Sequence, residues 1–341
     1  MGIEHGAAVG TEVVMATMVT GGTGWVPIHV VRRLAKRGEQ VIVVDLSPPD
    51  EMVWECLGDA YPNVVFEIGD VTDRERLAEI CRQTGVLSII HAAAITPRFD
   101  REQREPERIV DVNYHGTVNV LEVARGIPGF RRFVYVSSCA VWGEQPAGTR
   151  ILDESSPANA TTLYGITKLA SERTTLRYGE LFDMDVVAVR PANVYGPMER
   201  ITPGYIGATQ LREMLRIWAA GETVRVNSAE GPWLDWTYVE DIAEGIERVW
   251  STPQLQERVL SITGGALYSI GDVLSQFERH LPEFAWEVAS GDEVNYVVDG
   301  QPPGPVPSNA TIARELGWIP QTTFEHGMAE YLSWIQRHGP Q

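Results

Sequence analysis

The sequence predicts an α/β protein, a doubly wound parallel sheet followed by a smaller C-terminal α/β lobe that receives the substrate. Three observations carry this. Apolar strand patterns and amphipathic helix patterns alternate through the first half of the 341 residues, as they do in βαβ units. The first unit contains a glycine-rich turn, Thr20-Gly21-Gly22-Thr23-Gly24, between a strand pattern and a helix pattern. An acidic residue, Asp45, closes the second strand pattern, at about the 20-residue distance that a dinucleotide site requires.

Val13, Val14, Met15, Met18 and Val19 form a β-leaning apolar run suited to a strand buried on both faces. In the turn that follows, backbone without Cβ atoms can approach a pyrophosphate closely. The free N–H groups and the dipole at the next helix start hold the anion. This is a Rossmann turn, expected to present Gly21, Thr23, Gly24, Trp25 and Val26 to the cofactor. Val26, Val30, Val31 and Leu34 then recur at helical spacing, with Arg32, Arg33, Lys36 and Arg37 opposite and Gly38 as a stop. Asp45 ends the run Val41-Ile42-Val43-Val44, where its carboxylate can accept both adenosine ribose hydroxyls and repel a 2′-phosphate. Neither Leu46 nor Ser47 supplies an arginine to reverse that preference, so the cofactor reads as NAD, with Leu46 also in contact. Pro27 stands where the pattern has its third glycine. Proline is tolerated in a first helical turn, so a slightly reseated helix with retained cofactor binding is expected.

A helix over about 50–60 leads to a strand at Val64–Ile68, and Gly69-Asp70-Val71 closes it with Asp70 placed to meet the adenine amino group. A helix over 73–81 feeds a strand over 86–90. The small-residue turn His91-Ala92-Ala93-Ala94 then passes the nicotinamide ribose, and Thr96 behind it is a substrate contact. One long helix is predicted over roughly 105–125, carrying Asn113 and Gly116, and the charge run 101–108 reads as its solvated start. A strand over 132–138 ends in Ser137-Ser138, a Gly/Pro/Ser-rich loop spans 142–157, and a helix covers 162–178. The sixth strand, 185–190, is broken by Pro191-Ala192-Asn193-Val194-Tyr195-Gly196-Pro197. Beyond it the alternation weakens: a helix near 207–220, a strand at Val224–Val226, a segment 234–238 leading to a helix over 239–250, and a proline-rich loop at 302–307. Helices over 309–316 and 324–336 close the chain. The expected division is a flexible leader (1–12), an NAD-binding domain (13–192 with about 233–264), and a substrate lobe (193–232 and 265–341). Ligands in such folds sit at the C-terminal ends of the strands.

Bulk properties exclude several functions. A net charge of −18 argues against nucleic acid or anionic membrane as a partner. No apolar run of membrane-spanning length and no signal-peptide pattern is seen, so a soluble, cytoplasmic protein is expected. Cys56, Cys81 and Cys139 lack metal-ligand spacing, which suits a reducing compartment and argues against a metal site.

The chemistry is carried by Tyr164-Gly165-Ile166-Thr167-Lys168, which sets a phenol and an ammonium one helical turn apart on one face. A phenol with its ordinary pKa near ~10 is a poor base at neutral pH. A neighbouring cation is expected to lower that value and make Tyr164 a general acid/base for alcohol–ketone interconversion. Lys168 also donates to the nicotinamide ribose, and Ser138 donates to the substrate oxygen. Such a pair occurs by chance on many helices; it gains meaning after a dinucleotide turn and a strand-terminal serine pair. His91 reads as a packed strand-end residue and Cys139 as a small hydrophobe. Trp142, Trp218, Trp233 and Trp236 read mostly as core, with Trp233 able to wall an apolar or sugar-face pocket.

Taken together, these residues resemble the extended short-chain dehydrogenase/reductases, the NAD-dependent epimerase/dehydratase group, over nearly the whole length. The resemblance rests on the Thr20–Gly24 turn, Asp45, Gly69-Asp70-Val71, His91-Ala92-Ala93, Asn113 with Gly116-Thr117, and Val136-Ser137-Ser138. It continues through Tyr164 with Lys168, Arg190-Pro191 with the 193–197 segment, Tyr238-Val239-Glu240-Asp241, and Arg314-Glu315-Leu316-Gly317-Trp318. It implies a catalytic set of Ser138, Tyr164 and Lys168, hydride transfer at C4 of nicotinamide, and a homodimer through the helices that hold Asn113 and Tyr164. The expected cofactor contacts further include Val71, Ala92, Ala93, Ala94, Asn113, Val136, Pro191, Asn193 and Val194. Substrate contacts are expected from Thr96, Ser138, Cys139, Ala140, Tyr164, Asn193 and Trp233.

Departures from the family pattern narrow the reaction. Members that eliminate water from nucleotide sugars resemble one another in an Asp-Glu pair just after the catalytic hydroxyl residue, where this chain has Cys139-Ala140. A 4,6-dehydratase is therefore not expected. Nucleotide-sugar epimerases carry a diphosphate-gripping arginine at the position of Leu234, and a second one is missing from 294–304. Losing two charge-assisted contacts forfeits roughly 1.5–3 kcal/mol apiece. The expected function is NAD-dependent oxidoreduction of a secondary alcohol or ketone of a small sugar, sugar acid or polyol. The alternatives are a nucleotide-sugar epimerase that grips diphosphate through Arg200, Arg212, Arg216 or Arg225 after loop rearrangement, and a non-catalytic NAD sensor.

Overall fold

A computed structural model describes residues 16–96, 98–207, 209–299 and 302–340. The predicted leader and Val13, Val14 and Met15 of the predicted first strand lie outside the described residues. In chain order the first half contains β1 (Ala16–Thr20), α1 (Trp25–Lys36), β2 (Gln40–Asp45), α2 (Glu51–Leu57), β3 (Val64–Ile68), α3 (Arg74–Thr84) and β4 (Val86–His91). Then come α4 (Phe99–Arg104), α5 (Pro106–Val110), α6 (Gly116–Arg125), β5 (Arg132–Val136), β6 (Ile151–Leu152), α7 (Leu163–Phe182) and β7 (Val186–Pro191). The second half adds β8 (Asn193–Tyr195), α8 (Gln210–Ala219), β9 (Val224–Val226), β10 (Trp236–Tyr238), α9 (Val239–Ser251), β11 (Val259–Ile262), α10 (Ile270–His280), β12 (Trp286–Val288), β13 (Val306–Pro307), α11 (Ala310–Leu316) and α12 (Phe324–His338).

Seven strands form one sheet in the order β11-β7-β5-β4-β1-β2-β3, every pair parallel. Side chains alternate across it, as strand geometry requires. Val19, Val41, Val43, Ile90, Val134 and Val187 pack against α1, α2 and α9. Met18, Ile42, Val44, Ile89, Phe133 and Tyr135 pack against α3, α5 and α6 on the other face. A third core joins α8, α10 and α12 with β9 in the lobe. The expected division assigns everything after 264 to that lobe, whereas Ile312 and Trp318 sit in the core of the sheet's first face.

The helix predicted over 105–125 is continuous over 106–125 but not regular. A π-helical turn, Asp111–His115, separates α5 from α6, and α4 precedes them. Gly116 explains the tight seating there, because a Cβ would lie 2.6 Å from Val71 Cγ2. The charge run is not uniformly solvated either. Arg101 is buried, its guanidinium donating to Glu105 Oε1 (2.7 Å), Pro203 O (3.2 Å) and Gly204 O (3.3 Å). The seventh strand β11 and helix α10 were not foreseen, although α10 carries a complete Ser269/Asp272 capping box.

Helix α7 is fixed to the sheet by a buried ion pair. Arg190 Nε and Nη2 donate to Glu172 Oε2 (2.9 Å) and Oε1 (2.7 Å), and Ser137 Oγ donates to Oε2 (2.8 Å). Removing one partner of such a pair leaves an uncompensated buried charge. Glu172→Ala should therefore lower the unfolding free energy by about 3–5 kcal/mol, seen as a reduced urea midpoint at unchanged slope; an unchanged midpoint would refute this.

Candidate active site

The glycine turn brings two strand ends together. Gly21 adopts φ +65°, its N–H donates to Val44 O (2.8 Å), and a Cβ there would lie 2.8 Å from Ala93 Cα. Only glycine permits that approach and that conformation. Gly24 caps α1, and the first helical bond from Ile28 N to Gly24 O (3.1 Å) forms beyond Pro27. Proline therefore costs α1 no hydrogen bond. Asp45 is pinned at the tip of β2, where Oδ2 accepts Thr23 N (3.0 Å) and Thr23 Oγ1 (2.6 Å), and Oδ1 accepts Leu46 N (2.8 Å). Asp70 is held by Arg108 Nη2 at 2.8 Å. These groups form a preorganised anion and ribose cradle into which NAD fits.

The three predicted catalytic residues line the same cavity. Ser138 follows β5 and its Oγ accepts Ala140 N (3.1 Å). Tyr164 begins α7 behind the Thr162 cap, whose Oγ1 accepts Gly165 N (3.1 Å). Lys168, buried, donates from Nζ to Val136 O (2.8 Å), with Nζ 5.8 Å from the Tyr164 ring centre. The expected lowering of the Tyr164 phenol is not what the structure shows. Burial pushes it up to about 12, partly opposed by a hydrogen bond with Ser138. Burial also brings the Lys168 amine down to about 7. Desolvation disfavours the charged form of both groups and is the largest cause of each shift. His91 is neutral for the same reason, burial first and Lys168 second bringing it down to about 3, and it bonds Thr20 Oγ1 and Thr117 Oγ1 (2.7 and 3.0 Å).

The cavity has a volume of about 1160 Å³, above the roughly 300–1,000 Å³ of a site for one drug-sized ligand. On the cofactor side its wall includes Gly21, Thr23, Gly24, Trp25, Val26, Asp45, Leu46, Asp70, Val71 and Ala92 to Ala94. Val136, Pro191, Asn193 and Val194 line it too, as do the expected substrate contacts Thr96, Cys139, Ala140 and Trp233. Asn113 is the exception among the expected contacts. It is buried outside the wall, where Oδ1 accepts Ile95 N (2.7 Å) and Nδ2 donates to Ile95 O (3.0 Å) and Thr167 Oγ1 (3.2 Å). Both of its amide N–H groups and its oxygen tie the 92–96 turn to α7. Among the lining residues that sequence reasoning missed are Arg101 and Trp142. Arg101 shows only an i,i+4 pair with Glu105, which looks like a surface feature until the 203–204 loop covers it. Trp142 is buried yet borders the cavity, its Nε1 donating to Asp153 O (2.9 Å). Among the described residues no group of acidic, His or Cys side chains could hold a metal.

Comparison with known proteins agrees with this geometry. Residues 17–263 match the NAD dependent epimerase/dehydratase family, and the chain belongs to that family of NAD-dependent enzymes. It is 28% identical to a dTDP-glucose 4,6-dehydratase of Streptomyces griseus over 336 residues, covering 94% of each chain. It is 26% identical to a trifunctional UDP-glucose 4,6-dehydratase/UDP-4-keto-6-deoxy-D-glucose 3,5-epimerase/UDP-4-keto-L-rhamnose-reductase of Arabidopsis thaliana, covering 94% of this chain but spanning only 47% of that enzyme. A UDP-glucose 4-epimerase of Thermus thermophilus, crystallised with NAD, superposes with a TM-score of 0.76 at 25% identity, over 94% of this chain and 99% of that one.

Two outcomes test the site. Tyr164→Phe should lower turnover by about 10²–10⁴-fold with NAD affinity nearly unchanged; unaltered turnover would remove Tyr164 from the chemistry. Because burial holds Tyr164 as the phenol up to about 12, oxidation, which needs the phenolate, should keep rising with pH. Reduction, which needs the phenol, should stay flat. Rates taken well above the titration of Lys168, at about 7, check this; a plateau of the oxidation rate there would contradict it.

Proposed function

We propose that this chain is an NAD-dependent oxidoreductase that interconverts a secondary alcohol and its ketone on a small sugar, sugar acid or polyol without a nucleotide. One observation carries the reading: the two arginines that line the cavity, Arg101 and Arg108, are already tied to Glu105 Oε1 (2.7 Å) and Asp70 Oδ2 (2.8 Å). Leu234 stands in that wall. The four arginines named as substitutes do not line the cavity. Arg200 is held by Asp50 Oδ2 (3.0 Å) and Thr23 O (2.8 Å), and Arg225 by Glu287 Oε1 (2.7 Å). Arg212 is fully buried, and Arg216 donates to Pro340 O (3.4 Å). The charge on this side is Asp235, whose carboxylate accepts Thr237 Oγ1 (2.7 Å), Gly264 N (2.9 Å) and Gly265 N (2.7 Å). A diphosphate placed there would be desolvated beside a carboxylate.

In this reading the glycine turn, Asp45 and Lys168 hold the dinucleotide, which supplies or accepts the hydride when bound. Ser138 donates to the substrate oxygen and Tyr164 exchanges its proton, taking it from the alcohol in oxidation and returning it in reduction. Cys139-Ala140 leaves no second acid/base pair beside Ser138, which speaks against water elimination. The protein's contribution is placement and charge stabilisation. A cytoplasmic homodimer belongs to the proposal. Ile166, Leu181 and Phe182 leave apolar surface on α7, and among the described residues no helix is long and apolar enough to cross a membrane.

The second reading is a nucleotide-sugar epimerase with tightly held NAD, favoured by the names of the relatives and structural neighbours. Thermal-shift screening separates the two. Free aldoses, aldonic acids or polyols should raise the melting temperature of the NAD-loaded protein, whereas UDP- and dTDP-sugars should not; stabilisation by nucleotide sugars alone would decide for the epimerase.

A further inference from the structure

The cavity has a direction set by the order of the strands. Its cofactor half lies over the ends of β1 to β4, marked by Gly21, Asp45, Asp70 and Ala92. Its catalytic centre lies at the end of β5 and on α7, with Ser138, Tyr164 and Lys168. The remaining end lies past β7 and β11, at the sheet's other edge. There the wall includes Trp233, Leu234, Leu267, Leu152, Pro305 and Pro307, beside Asp235, whose carboxylate is taken up by Thr237, Gly264 and Gly265.

Local backbone pairing explains why this end is apolar. Leu234 and Tyr268 exchange both backbone hydrogen bonds (3.1 and 2.9 Å). Leu152 pairs with Pro307 in the β6–β13 ribbon, where Ser308 N donates to Leu152 O (2.7 Å) and Thr263 Oγ1 donates to Pro307 O (3.4 Å). These main-chain polar groups are satisfied by protein, so rings and methylenes are left facing the cavity. Thr96, Ser138 and Asn193, polar side chains of the wall, are assigned to the catalytic half.

We propose that this end is a subsite for an uncharged alkyl or aryl substituent. The substrate is then a sugar or polyol carrying such a group, with its reacting carbinol at Tyr164 and its apolar group against Trp233 and Leu234. This rests on the oxidoreductase reading above. In the oxidation direction the carbinol C–H bond gives its hydride to the nicotinamide and the O–H bond gives its proton to Tyr164; the substituent is not altered. A hydrophobic wall selects by burial, and one extra apolar group in such a pocket changes specificity by about 10–200-fold.

The experiment follows NADH formation by the full chain with free aldoses, the matching methyl and phenyl glycosides, and UDP-sugars. Phenyl glycosides should exceed free sugars in kcat/KM by about tenfold or more, mainly through a lower KM, and Leu234→Arg should erase the advantage. Turnover of free and phenyl sugars with equal KM would overturn the subsite and leave the oxidoreductase reading standing. Turnover of UDP-sugars alone, or neither turnover nor thermal stabilisation with any free or substituted sugar, would instead overturn the reading on which it rests.

Discussion

The polar seat of α7 is the constraint on which the catalytic geometry depends. The buried face of this helix is formed by Gly165, Thr167, Lys168, Ser171, Glu172 and Thr175, with no large apolar side chain among them. Thr167 accepts from Asn113 Nδ2, Ser171 donates to Asn113 O (2.8 Å), Lys168 donates to Val136 O, and Glu172 accepts from Ser137 and Arg190. Hydrophobic packing would tolerate a helix that slides or rotates. Directional bonds in a low-dielectric interior tolerate far less, because each displaced donor loses its partner. The register that places Tyr164 beside Ser138 is therefore fixed by this network.

The same network links cofactor turn, substrate turn and catalytic helix. Asn113 sits on the π-helical turn between α5 and α6, and its amide joins Ile95 to Thr167. His91 occupies the β4 end with neutral imidazole bonds to two hydroxyls. Thr20 Oγ1, one of those hydroxyls, also accepts Ala92 N and Ala93 N at 3.3 Å. The interior beneath the site thus carries few free charges, and Tyr164 and Lys168 are both shifted toward their neutral forms. Chemistry in such a place relies on preorganised dipoles more than on a standing ion pair.

The proposed substrate end lies in a different region, where the chain departs from the family pattern at Leu234. The wall past β11 presents Leu234 and Trp233, and Asp235 spends its oxygens on the 264–265 turn. The fold is shared with a UDP-glucose 4-epimerase at 25% identity. Substrate chemistry in this architecture lives in a handful of side chains on loops grafted onto a common sheet.

Much of this was legible in residue order, and the reasons are local. Gly21, Asp45 and Tyr164 with Lys168 could be read because backbone sterics, strand ends and helical spacing act over short stretches of chain. The π-helical turn around Asn113, the burial of Arg101 under Pro203 and Gly204, and the seventh strand β11 could not. Arg101 is covered by a loop 102–103 residues further on, Asn113 bonds residues 18 and 54 positions away, and the β11 pattern is too short to stand out. The inverted expectation for Tyr164 has the same origin: sequence placed the amine one turn away, but only folding shows how much water both groups lose. The sequence by itself determined the sheet, the dinucleotide turn and the pairing of Tyr164 with Lys168 on one helix, because those follow from local propensity and spacing. Tertiary structure decided protonation, the retirement of Asn113 to a tie, and the apolar end of the cavity, because desolvation and long-range closure exist only once distant segments meet.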